Sequence, residues 1–229
     1  MPGTVGRYPL AFDRGEAHDA CMGLDLSAVI AHWDRLAEAV NRDAMEAIWD
    51  LIYPDAEEYV PHKPRDDESR FRWAPSEVAP WYGDYKFRGV ACSGSIKPHW
   101  GLGKLWEDIR ERPETPADLV DPFNRFLGRL LGDNHDETYG PNTFGGLPID
   151  KISQGSMTAF SPAEVTTLAR AWRGCADRLE ELRPAMTAEI SEYVSPFDNF
   201  DECAELLRDW AAVVDEAERR HWGLFYVAD

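Results

Sequence analysis

The stretch from Ser161 to Val227 constrains the fold of this chain most, because its local signals agree on helix, connector, helix and strand. Ser161-Pro162-Ala163-Glu164 combines a serine N-cap, a proline at the first helical position and a glutamate three residues after the cap. The hydroxyl accepts an orphan backbone N–H, the proline needs none, and the glutamate reaches back to the cap's own N–H. Phe160 and Val165 stand at the two positions of a hydrophobic staple. Val165, Leu168, Ala169, Trp172, Ala176 and Leu179 then recur at helical spacing, and Pro184 predicts a stop near Arg183. A second helix is expected after Asp198-Asn199, with the stripe Cys203, Leu206, Leu207, Trp210, Val213, Val214 and Ala217. Arg219, Arg220 and His221 fall where cations suit a helix C-terminus. Trp222 to Val227 reads as a strand of aromatic and branched residues.

That strand needs a partner earlier in the chain. Leu24 to Ile30 supplies one, with Leu24, Leu26 and Ala28 on one face. The expected fold class is therefore α+β: one domain over residues 22–229, with several helices on a small mixed sheet and its N-terminal and C-terminal strands paired. Met1 to Cys21, rich in Gly, Pro and polar residues, reads as a disordered N-terminal extension, and Met22 is a candidate natural start. Short helices are expected over 33–40 and 43–52. Residues 54–80, with five prolines, read as irregular. A strand is expected within 81–91, and Gly101 and Gly103 predict a loop ahead of a helix over 104–112. Asp121-Pro122 repeats the cap-plus-proline device, with Gly132 as a C-cap, and Ser156 to Phe160 reads as a short strand.

Charge excludes some functions. The formal net charge is −18, which opposes binding to nucleic acid or to an anionic membrane. The four cysteines form no C-x-x-C pair and no apolar leader precedes them, so a reducing cytoplasm is expected. No dinucleotide fingerprint, Walker motif or nucleophile elbow occurs, and no cofactor is implied. Asp133-Asn134-His135-Asp136-Glu137 lacks the alternation of a calcium loop. No spaced histidine pair suits zinc, so no metal is expected.

The charge is also uneven. Residues 174–229 hold 14 acids against 5 Lys/Arg, whereas residues 63–112 hold 8 acids against 10 Lys/Arg. The second segment is crowded with aromatic residues, and a pocket is expected there. Trp81, Tyr85, Ser93, Lys97, His99 and Trp100 are its candidate ligand-binding residues. Cys92 and His99 are the catalytic candidates, since a thiolate needs a base or cation nearby to lower its pKa. The plainer reading of 92–100 is a glycine-containing turn with a packed cysteine and a surface histidine. His221 reads as a helix-end cation, and Trp172, Trp210 and Trp222 read as core.

Two stretches resemble a known family. Met22-Gly23-Leu24 through Trp33-Asp34-Arg35-Leu36, and Ser161 to Val165 through Trp210 to Leu224-Phe225-Tyr226-Val227, are similar to the YfbM-like family of bacterial domains of unknown function. The resemblance spans the first strand and the last third of the chain. It implies an α+β fold with helices against a small sheet, and it carries no activity and no catalytic residues.

Two functions follow as expectations. One is a cytoplasmic binding protein, of the immunity or inhibitor type, for a basic protein partner. The other is an enzyme or binding protein for a small anionic ligand, with its pocket around residues 81–106.

Overall fold

A computed structural model describes residues 26–42, 70–73, 80–87, 96–131, 156–192 and 195–228. The expected helix over 43–52, residues 133–137, Gly132 and the N-terminal extension lie outside them. Strand β1 (Leu26–Ala31) leads into helix α1 (Trp33–Arg42). Strands β2 (Phe71–Trp73) and β3 (Tyr82–Tyr85) follow, then helices α2 (Ile96–Ile109) and α3 (Ala117–Phe123). The closing unit is β4 (Ser156–Phe160), α4 (Pro162–Arg173), α5 (Arg183–Glu192), α6 (Phe200–Arg220) and β5 (Gly223–Ala228). Helices thus pack on a small sheet, an α+β architecture.

The sheet runs β2-β3-β1-β5-β4, and the N-terminal and C-terminal strands pair as expected. All four pairings are antiparallel, where a mixed sheet was expected. Strand β1 lies at the centre, paired on both edges, and its apolar run is covered on both faces: Ala28, Val29, Ile30 and Ala31 are all 0% exposed. The register puts Ala28 beside both Tyr85 and Tyr226. Directly opposed residues share a face, and this face meets the helices, with Tyr226 5.4 Å from Trp210 of α6.

The closing unit follows its local signals. Glu164 N–H donates to Ser161 Oγ, and Ser161 N–H donates back to the Glu164 carboxylate at 2.8 Å. Phe160 and Val165 are both buried. Asn199 caps α6 by accepting from Glu202 N–H, and every residue of the expected α6 stripe is buried. His221 takes the left-handed conformation (φ 57°) that ends the helix and turns the chain into β5.

Four local expectations fail, each for a tertiary or competing local reason. Pro184 starts α5 instead of stopping a helix; α4 ends at Arg173, and a 3₁₀ segment, Ala176–Leu182, links the two. Proline serves either role, since a first-turn residue needs no N–H partner. Helix α3 begins at Ala117, so Asp121 and Pro122 lie inside it; Asp121 pairs with Arg125 one turn on, at 2.8 Å. Pro122 interrupts the hydrogen-bond ladder, and Asn124–Gly128 widens into a π-helical turn before a last α turn, Arg129–Leu131. Phe71–Trp73, within the stretch read as irregular, is an edge strand on β3.

The fourth concerns Gly101 and Gly103, which sit inside α2 and not in a loop. A Cβ on Gly103 would lie 2.1 Å from the Leu131 carbonyl oxygen, and one on Gly101 would lie 2.3 Å from Pro196. The glycines are contact points at which two segments approach the helix backbone.

Candidate functional site

The expected site divides between a strand and a helix face. Alternation along β3 turns Tyr85 toward the helices, and Phe87 lies on the same side, their rings 5.0 Å apart and edge-to-face. On α2, Pro98, His99 and Leu102 are buried, while Lys97, Trp100 and Lys104 share the exposed face. Helical periodicity therefore separates neighbours in sequence: His99 is 1% exposed and Trp100 is 56% exposed. Trp81 is half-buried, with its ring edge-on to Tyr82 at 4.9 Å. Cys92 and Ser93 lie outside the described residues.

Tyr85 and His99 are brought together around Phe87. The His99 ring is 4.5 Å from Phe87, and Trp210 Nε1–H donates to His99 Nδ1 at 3.0 Å. An indole nitrogen only donates, so Nδ1 is the acceptor nitrogen and carries no proton in this arrangement. Beside it, Tyr85 O–H donates to Asp209 Oδ1 at 3.2 Å and accepts from Arg70 Nη1 at 3.0 Å. Arg70 also pairs directly with Asp209, which is 1% exposed. Two consecutive residues of α6, Asp209 and Trp210, thus hold the two buried members of the expected site.

Sequence reasoning missed Arg70 and Asp209. A signal existed for Asp209: it sits between Leu206 and Val213 at spacings of three and four, on the buried stripe. A carboxylate in that register requires a cation or hydrogen bonds. For Arg70 no local signal exists, because its partner is 139 residues away.

Elsewhere the chemistry is dominated by carboxylates. Each of the five arginines in residues 174–229 is held by them. Arg178 meets Asp118 and Glu181, and Arg183 meets Glu180 and Asp201. Arg208 approaches Glu180, while Arg219 and Arg220 share Glu216. The side-chain hydrogen bond from Arg178 holds Glu181 below the usual carboxylate range, and that from Arg219 does the same for Glu216. Among the described residues no group of three His, Cys, Asp or Glu could hold a metal ion. Burial pushes the Cys175 thiol up to about 12 and the Cys203 thiol higher still, which leaves both as inert thiols at neutral pH. Among the same residues no helix is long and apolar enough to cross a membrane.

No protein-family model, curated protein or solved structure matches this chain.

Proposed function

We propose that the protein is a cytoplasmic binding protein whose acidic closing unit covers a basic protein partner, in the manner of an inhibitor or immunity protein. The observation that supports this most is the engagement of all five arginines of residues 174–229 by carboxylates. Residues 174–229 carry 14 acids against 5 Lys/Arg. Glu189 and Asp209 are buried, and Arg112 and Arg173 reach in from outside the segment to Glu192 and Asp215, but the exposed remainder is still acidic. Asp177, Glu192, Asp198 and Asp215 are among the exposed acids. Such a surface accelerates encounter with a positively charged protein and penalises anionic ones. Trp100 is an exposed indole of the kind that anchors interfaces. The free thiols of Cys175 and Cys203 support a reducing compartment.

The rival reading, an enzyme or binding protein for a small anionic ligand, takes Cys92 or His99 as its chemical group in the enzyme form. At 1% exposure, and accepting from Trp210, His99 is placed as a core residue. That geometry favours the binding reading.

The test is an affinity pull-down of the tagged full chain at low and high salt, read by mass spectrometry. A stoichiometric basic protein whose association slows as salt rises is expected. Capture of no protein, or of an acidic one, overturns the reading.

A further inference from the structure

The described residues contain a groove of about 480 Å³ between α5 and the start of α6. Ile190, Phe197 and Phe200 contribute apolar lining, and Arg183, Ser191 and Asp198 are among its polar groups. The volume falls in the range of sites that take one small ligand or one long side chain.

Its polar groups have a definite sign. The Ser191 hydroxyl donates within its own helix, to Thr187 O at 2.8 Å or Ala188 O at 2.9 Å. Its single proton is thereby used, and its remaining capacity is to accept. Asp198 is exposed, and its backbone N–H already donates to Glu202 at 2.9 Å. Arg183 lies over the Phe200 ring at 4.1 Å and is held by Glu180 and Asp201. Arg183, Arg208, Glu180, Asp201 and Asp198 together therefore balance at −1. The positive end of α6 is offset by the Asn199 cap and by Asp201 and Glu202 in its first turn. Ser191 stands in the last turn of α5, at the negative end of the helix dipole.

We propose that this groove receives a lysine or arginine side chain of a basic protein segment. The apolar lining would pack the aliphatic stem, and Asp198 and Ser191 would take the hydrogen bonds of the charged head. This rests on the binding reading above and gives it an address.

The test uses the ¹⁵N-labelled full chain titrated with N-acetyl-arginine amide and N-acetyl-lysine amide, with inorganic phosphate as the counter-probe. Saturable shifts at the Ser191, Asp198 and Asn199 amides are expected from the cations. Asp198→Asn should weaken them about fivefold, the loss of one partly exposed charge pair. Asp34→Asn, the same charge change on exposed α1, should leave them unaltered. Shifts spread over the acidic surface, equal weakening by Asp34→Asn, or a groove response to phosphate instead would each overturn the assignment. A basic protein that binds wild type and Asp198→Asn equally overturns the groove and leaves the partner reading standing. Groove binding of the amides without a protein partner does the reverse.

Discussion

The indole N–H of Trp210 donates to Nδ1 of His99 across 3.0 Å, joining two residues 111 positions apart inside the core. This bond fixes the orientation of the imidazole and removes its Nδ1 from any role as a base toward solvent. Trp210→Phe keeps an aromatic ring but deletes the donor. We expect it to lower unfolding stability by about 1–3 kcal/mol, because a buried acceptor is left unmatched. Urea denaturation measures this directly, and a midpoint equal to wild type would show that the bond contributes nothing.

The ion pair of Arg70 and Asp209 should be asymmetric in its response to mutation. Arg70→Ala removes the cation and leaves a carboxylate at 1% exposure, at a cost of about 3 kcal/mol. Tyr85→Phe removes only a hydroxyl partner of the same carboxylate and should cost about 1 kcal/mol. The double variant Arg70→Ala/Asp209→Leu should be more stable than Arg70→Ala alone. A double-mutant cycle with no coupling would contradict the pairing.

Glycine 103 and glycine 128 make a matched contrast. At Gly103 the added methyl meets the Leu131 carbonyl, whereas at Gly128 its nearest neighbours stand at 3.5 Å, ordinary contact. Gly103→Ala should therefore destabilise by about 1–3 kcal/mol through overpacking. Gly128→Ala should be neutral or stabilising by up to about 1 kcal/mol. Thermal melts of the two variants in parallel decide the point, and a stabilised Gly103→Ala would contradict the close approach.

The buried thiols predict a labelling pattern. In native protein at pH 8, peptides carrying Cys175 and Cys203 should resist iodoacetamide, and in denaturant both should react. The Cys175 thiol, raised by burial to about 12, contributes stability that is complete below its unfolded value near 9. That contribution is lost as pH rises from there toward 12. Mass spectrometry of labelled peptides gives the test, and rapid native labelling of either would refute its burial.

On the acid side, the hydrogen bond from Arg173 holds Glu218 below its usual value near 4.5. A depressed carboxyl contributes stability above its unfolded pKa and loses it as pH falls through the folded one. Arg173 is 54% exposed, so screening limits the contribution to less than about 1 kcal/mol. Glu218→Gln should be slightly less stable than wild type at pH 7 and equal to it at pH 3. Paired denaturation curves at the two values check the sign.

What the sequence determined by itself are the features whose causes lie within a few residues. The Ser161 capping box, the Asn199 cap, the apolar stripe of α6 and the aromatic and branched run of β5 need no distant partner, and all form where their patterns place them. The pairing of β1 with β5 was legible as well, because two strongly apolar strands at opposite ends of the chain needed one another. Only the tertiary structure decided the rest. Gly101 and Gly103 read as breakers by local propensity, but the proximity of Pro196 and Leu131 makes them the residues that α2 requires. The three residues of β2 are too few to carry a periodic signal, and they become a strand through the hydrogen bonds of β3. The expected site divided for the same reason. Adjacency in sequence placed His99 beside Trp100, but a helix turns about 100° per residue, so one faces Trp210 in the core and the other faces solvent. Burial depends on which faces the packing closes, and that is a property of the assembled chain.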